Sequence, residues 1–239
     1  MNYRMTINVV GGSASTAFAL DDPDSAWPAL VARRFNAEVR QESQGGLTMV
    51  RSLDLIDSLP QADLLILHLG TSVAWPKPVI ELGARFGMDF HNETAFHQPP
   101  HGFSGRLGVR LSKQFRLRLR NSIKYLLFIV GAYRPKISIR EIEDQVKAVL
   151  ALSTKRAKRV VWIQHRSLQT MRLLIERSVY ERYYRRLVRA VRANVNDSFE
   201  FIELERSFLV GKNYLLDGVH LSEEGHRRIA EIVGAKISP

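Results

Sequence analysis

The run Met5-Thr6-Ile7-Asn8-Val9-Val10 passes directly into Gly11-Gly12-Ser13-Ala14-Ser15. Aliphatic and β-branched residues predict a strand here, and the glycine pair predicts a tight turn at its carboxyl end. Small residues after a first strand can serve several chemistries. A phosphate-cradling loop requires GxGxxG, or GxxxxGK[ST] with its lysine, and neither is present. A nucleophile elbow requires GxSxG, but Ser15 stands where the second glycine belongs. What remains is Ser13 at the carboxyl end of the first strand, where ligands of doubly wound sheets gather. Taken singly, a serine in that setting is also ordinary turn chemistry.

Outward from this stretch, four more short segments read as strands: Ala37 to Arg40, Asp63 to Leu69, Arg159 to Gln164 and Phe199 to Leu204. Most of the five are nearly continuous apolar runs, as expected of parallel strands covered on both faces. Helical patterns alternate with them. Ala26 to Phe35 tolerates Pro28 in its first turn, and Ile139 to Ser153 carries Ile142, Val146, Val149 and Leu150 at helical spacing. A last helix is signalled by Ser222 as N-cap, with Glu223 and Glu224 facing the positive end of the helix dipole. The order is β-α-β-α-β, a long insertion, then α-β-α-β-α. With 239 residues, 45% of them hydrophobic, the chain suits one α/β domain, 1–239, with an inserted lid or flap at 75–140.

No cysteine occurs, so disulfides and thiolate metal sites are excluded. The N-terminus lacks a charged region followed by roughly 7 to 15 apolar residues, and no apolar run approaches the roughly 18 that cross a bilayer. The expectation is a soluble, unsecreted, cytoplasmic protein. The net charge of +11 is concentrated: Thr94 to Arg140 contains no Asp or Glu, yet Arg106, Arg110, Lys113, Arg116, Arg118, Arg120, Lys124, Arg134, Lys136 and Arg140 fall within it. Such asymmetry suits an acidic partner, whether an acidic glycan, a phosphorylated carrier, an anionic membrane surface or a nucleic acid. A solvated basic face is the plainer alternative. Nucleic acid is the weakest of these, because no recognition motif accompanies the charge. Basic helical patterns at Leu111 to Leu127 and Leu168 to Val195 suit either a membrane surface or arginines snorkelling over the core. His91, His97 and His101 follow no zinc spacing, so neither metal nor cofactor is expected. His165, after the fourth strand, reads as a core or rim histidine, with substrate contact as the minor alternative.

A serine hydroxyl needs a base to take its proton, and the base needs a partner to fix its tautomer. The distant stretch Asp217-Gly218-Val219-His220-Leu221-Ser222-Glu223-Glu224-Gly225-His226 supplies a carboxylate and an imidazole three apart, ahead of the last helix. In a parallel sheet, the loop after the last strand opens on the same edge as the loop after the first. Gly-Gly-Ser-Ala after the first strand, combined with Asp-x-x-His and Leu-Ser-x-x-Gly-His before the last helix, resembles the SGNH (GDSL-like) hydrolase superfamily. The resemblance spans nearly the whole chain in block order, the insertion excepted.

It implies a three-layer α/β/α, flavodoxin-like fold with a central five-stranded parallel sheet, and acyl-ester hydrolysis or transfer at a serine. By position it implies Ser13 as nucleophile, His220 as general base and Asp217 as its orienting carboxylate. The second block, Gln41 to Thr48, offers Gly46 as an oxyanion donor, with Gly45 as the neighbouring option. In the third block, Gly70-Thr71-Ser72-Val73, Ser72 stands where the family has asparagine, and Gly12 stands where GDS has aspartate. A serine at 72 still donates a hydrogen bond, but from a shorter arm. The expected function is a serine esterase or deacylase acting on a small-molecule or glycan acyl ester, with an acyltransferase as variant. A non-catalytic module that binds a polyanion or a membrane face through Arg106 to Arg140 is the alternative from another class.

Overall fold

A computed structural model describes residues 4–17, 20–69, 137–166, 174–204 and 220–237, with short stretches and single positions between them. The strands are β1 Thr6–Gly11, β2 Glu38–Ser43, β3 Ala62–His68, the two-residue pair β4 Lys77–Pro78 and β5 Tyr133–Arg134, β6 Ala157–Gln164 and β7 Phe199–Glu203. The helices are α1 Trp27–Arg34, α2 Met49–Ser58, α3 Glu141–Arg156, α4 Leu174–Arg192 and α5 Glu223–Ile237. Five strands form one sheet in the order β2-β1-β3-β6-β7, every neighbouring pair parallel. This is the doubly wound α/β arrangement expected from the sequence.

Each interior strand is apolar throughout because both of its faces are covered. Leu65 and Leu67 of β3 pack with Val10, Val160 and Trp162 under α2, α3 and α4. Leu64 and Ile66 alternate to the other face, with Ile7, Val9, Val161 and Ile163 under α1 and α5. At the sheet edge, β2 is half exposed and polar, yet it pairs with β1 as far as Gly11↔Ser43, three residues beyond the Arg40 expected from its apolar content. Its register is set by the β1 ladder, since its own hydrophobic pattern is too weak to mark the end.

Local signals place the helix ends. The α1 helix closes on Asn36 at φ 48, with Ala37 N–H donating to the Ala32 carbonyl at 2.8 Å and Asn36 N–H to the Arg33 carbonyl at 3.3 Å, a Schellman closure with asparagine in the left-handed position. The α5 helix is capped as expected, Ser222 Oγ accepting from Gly225 N–H at 3.1 Å. The strongly basic α4 buries Tyr180, Tyr184, Leu187, Val188 and Val191 against the rest of the protein. Among the described residues, no helix is long and apolar enough to cross a membrane.

Near the bounds of the 75–140 stretch, β4 and β5 pair antiparallel, Lys77 opposite Arg134 and Pro78 opposite Tyr133. His91, His97 and His101 lie outside the described residues.

Candidate active site

In an open parallel sheet, the cleft forms where neighbouring strands send their connections to opposite faces. That point lies between β1 and β3: the chain leaves β1 for α1 on one face, and the helix entering β6 is α3 on the other. Ser13 begins the turn directly above it. Gly12 N–H still donates to the His68 carbonyl at 3.2 Å, after which Ser13–Ser15 make one 3₁₀ turn closed by Ser15 N–H on the Gly12 carbonyl at 2.9 Å.

Each carbonyl of that turn is held. Ser13 O accepts from Thr16 Oγ1 at 2.7 Å, Ala14 O from the Trp27 indole N–H at 3.2 Å, and Ser15 O from Gln41 Nε2 at 2.6 Å. The Ser13 side chain is half-buried, and its hydroxyl makes no hydrogen bond to the described residues. The turn is thus rigid in its main chain while its first side chain stays reachable. Gly11 is required below it, since a Cβ there would lie 2.1 Å from Ser15 Oγ and 2.8 Å from Ser15 Cβ.

Beneath the turn runs a chain of buried polar side chains. Ser15 Oγ and His68 Nδ1 are 3.0 Å apart, and His68 Nε2 and His165 Nδ1 are 2.7 Å apart. The His68 ring also meets Trp27 edge-on at 5.9 Å between centroids and His165 at 4.8 Å. His226, on α5, accepts the Trp27 main-chain N–H at its Nδ1, 3.1 Å away. Burial disfavours the charged imidazole, so His165 and His226 are each pushed down to about 4. His68 is held well below the usual histidine range by burial first, then by the neighbouring His165 and His226. At neutral pH these rings are uncharged and serve as hydrogen-bonding groups.

Ser15 and His68 look superficially like a nucleophile and its base. They are 0% and 4% exposed, so no ester carbonyl reaches Ser15 Oγ. Burial separates the two serines of the turn: Ser15 is fully buried and Ser13 is half-buried.

Of the other residues singled out in the sequence, Gly46 lies in the turn after β2, exposed, at φ 68. That loop is fastened to the end of β1 by Gln44 N–H on the Gly11 carbonyl at 3.0 Å. His220 is half-buried and immediately precedes Leu221, which is buried in the α1/α5 core, and Ser222, whose N–H donates to the Asn213 carbonyl at 3.0 Å. Only glycine fits at 225, because a Cβ there would lie 2.1 Å from that same carbonyl oxygen. Trp27 joins the two regions, its ring bonded to Ala14 in the Ser13 turn and its main chain to His226 in the helix that His220 leads into. Asp217 and Ser72 lie outside the described residues.

His165 proves to be a core histidine, the principal expectation for it. Sequence reasoning missed His68, Ser15 and His226. The one available signal was His68 itself, an imidazole closing the otherwise apolar β3 run Leu64 to Leu67.

No family model matches the chain, and no curated protein matches it. Solved structures do match along nearly its whole length. TesA aligns at 16% identity over 98% of both chains with a TM-score of 0.55. A member of the lipolytic protein G-D-S-L family from Veillonella parvula aligns at 12% identity over 98% of this chain and 97% of that one, TM-score 0.55. An acetyl xylan esterase from Geobacillus stearothermophilus aligns at 10% identity over 98% and 94%, TM-score 0.56. At such identities the likeness establishes the fold these proteins share with this chain.

Proposed function

We propose that this chain, which has the fold of the SGNH (GDSL-like) hydrolases, is a serine-dependent ester hydrolase with Ser13 as nucleophile. The observation that carries this reading is the Ser13 turn: a half-buried serine on a turn with every carbonyl held, at the switch point between β1 and β3. Prior immobilisation of the attacking group is what a nucleophile requires.

In the proposed reaction, His220 takes the Ser13 proton as Ser13 Oγ bonds to the ester carbonyl carbon, giving a tetrahedral oxyanion. The main-chain N–H groups of Ser13 and Gly46 donate to that oxyanion, with the Ser72 hydroxyl as a third donor. Collapse expels the alcohol, which takes the proton from His220 and leaves an acyl-Ser13 ester. Water then attacks the acyl group, gives its proton to His220, and releases the acid with Ser13 restored. Asp217, three residues before His220, holds the imidazole tautomer. Where a second hydroxyl replaces water, the same steps transfer the acyl group.

The substrate class proposed is an acidic acyl ester, such as an O-acylated glycan, drawn to the basic stretch Arg106 to Arg140. Within that stretch Tyr125, Leu126 and Ile129 are helical and 52%, 60% and 63% exposed. Apolar side chains among cations suit a peripheral contact with an anionic membrane face. Co-sedimentation with phosphatidylserine-containing vesicles, weakened by salt and by neutralising Arg116, Arg118 and Arg120, is the expected result. Salt-independent retention would remove the electrostatic reading.

The deciding experiment is labelling with a fluorophosphonate. Ser13 is expected to be modified, Ser13→Ala to abolish labelling, and His220→Ala to lower both labelling and p-nitrophenyl acetate turnover by about 10³-fold or more. A wild-type protein that is neither labelled nor active above the Ser13→Ala background would be a binding module.

A further inference from the structure

We propose that Ser15 and His68 are positioning residues, a hydrogen-bonded pair that fixes the Ser13 turn from below and so sets where the Ser13 hydroxyl stands, with His165 behind them completing the relay by setting the tautomer of the His68 ring. The proposal rests on the reading of Ser13 as nucleophile and adds residues with which no substrate makes contact.

Three observations support it. First, the turn's main-chain bonds hold its carbonyls, but the Ser15 hydroxyl bond to His68 Nδ1 ties the turn's last residue by its side chain to the end of β3. β3 is the other strand of the switch point, so the bond spans the cleft floor. Second, Ser15, His68 and His165 are 0%, 4% and 3% exposed inside an otherwise apolar layer. Burying a polar group is costly unless it is bonded, and alanine or leucine would fill those positions without that requirement. Third, the geometry admits only a directional chain. Either Ser15 donates to His68 Nδ1 and His68 Nε2–H donates to His165 Nδ1, or both bonds run the other way, with His165 Nδ1–H donating to His68 Nε2 and His68 Nδ1–H to Ser15 Oγ. In both, each imidazole carries one proton, and the tautomer of one ring dictates that of the next. Such a chain has one low-energy arrangement of side chains, which is what a fixed turn needs.

Ser15 lies two residues from Ser13, so slack at Ser15 becomes slack at the nucleophile. Misplacing a reacting group by about 1 Å can cost on the order of 10²-fold in rate.

Isosteres separate the two halves of the relay. An asparagine at 68 places its amide nitrogen near the Nδ1 position and retains a partner for Ser15. A glutamine places its amide nitrogen near the Nε2 position and leaves Ser15 without one. Fluorophosphonate labelling of the full chain is expected to fall about 10- to 100-fold in Ser15→Ala and in His68→Gln, while His68→Asn retains most of the rate. A merely structural histidine predicts equal losses in His68→Asn and His68→Gln, each following the fall in unfolding midpoint. That pattern, or wild-type labelling in Ser15→Ala, would overturn the proposal.

Ring-nitrogen NMR gives a readout independent of labelling. His68 is expected as a single neutral tautomer whose Nδ1 resonance shifts in Ser15→Ala. If the wild type is not labelled but His68 behaves in this way, the reading of Ser13 fails and the relay stands as a buried network without a nucleophile to position. A His68 ring that exchanges between tautomers and ignores Ser15→Ala overturns the relay itself.

Discussion

At the carboxyl ends of the strands, the two faces of the sheet bond their buried polar groups in different ways. Under α2 and α3, Ser52 donates to the Met49 carbonyl and Ser153 to the Val149 carbonyl, each within its own helix, at 2.7 Å, and a long-range bond, Asn8 Nδ2 to the Pro60 carbonyl at 2.8 Å, lies toward the amino end of the strands. On the α1/α5 face, bonds join side chains from different strands and turns: Ser15 to His68 across 53 residues of sequence and His68 to His165 across 97. Local bonds satisfy a helix and impose nothing on its neighbours. Long-range bonds fix elements against one another, and here they gather at the carboxyl end of β1, β3 and β6, below the candidate nucleophile. A polar seam in an apolar layer thus lies on one side of the sheet, beneath the Ser13 turn.

The largest expected contrast is in pH dependence. An unfolded imidazole titrates near 6.5, while folded His165 and His226 titrate at about 4. Between those values the unfolded chain binds more protons, so stability is greatest above pH 6.5 and falls as pH drops toward 4. Each histidine contributes a slope of at most about 1.4 kcal/mol per pH unit, giving several kcal/mol in total. The buried histidines among the described residues, His68, His165 and His226, are all on the α1/α5 face. Urea unfolding at pH 7, 6 and 5 is expected to show the fall, and His165→Gln to flatten it by about one histidine's share. An unchanged profile in that variant would break the contrast between the faces.

Next in size is the opposite perturbation. Trp162 is fully buried under α2, α3 and α4. Trp162→Ala is expected to cost about 3–5 kcal/mol by chemical unfolding. Labelling of Ser13 per folded molecule is expected to stay within about threefold, because the cavity opens on the face opposite the seam and its hydrogen-bonded link, through Gln164, ends on the His165 carbonyl rather than on the imidazole. Coupled losses of stability and labelling would show that the layers communicate through the sheet.

The legible part of this molecule follows from the same contrast. β1, β3 and β6 are covered on both sides, so their apolar runs announced them to within a few residues, and with them the order of elements along the chain and the position of Ser13 at the end of β1. The edge strand β2 reads EVRQES and carried too little pattern to mark its end. The seam was harder. His68 sits in a run that reads as strand core, and its partners lie at distances along the chain that no local period reveals. Ser15 was visible only as the residue that spoils GxSxG. Its burial depends on Gly11 lacking a side chain and on His68 arriving from β3, both of which are facts of packing. The charge asymmetry of 94–140 was evident from composition, whereas its purpose depends on partners that composition only narrows to the acidic.

A smaller effect is expected at Gly11, the last residue of β1 and on the seam side. A Cβ there would meet Ser15 Oγ at 2.1 Å, Ser15 Cβ at 2.8 Å and His68 Cβ at 3.3 Å. Since Ser15 is buried on a short turn, it has little room to retreat. Gly11→Ala is expected to cost about 1–3 kcal/mol and to lower labelling of Ser13 roughly as Ser15→Ala does, because both displace the same hydroxyl.

The neighbouring Gly12 sets the lower bound. Its φ of −79° and ψ of −168° are extended values open to any residue, and a Cβ there meets nothing within 4 Å. Neither backbone strain nor packing requires glycine at the position where the GDS pattern carries aspartate. Gly12→Asp is therefore expected to leave the unfolding midpoint within the equivalent of about 0.5 kcal/mol, in contrast to Gly11→Ala one residue earlier. A loss at position 12 as large as that at 11 would mean that the turn is constrained on its cleft side as tightly as on its seam side. The division between a fixed interior half and an open exterior half would then fail at the residue where it is drawn most finely.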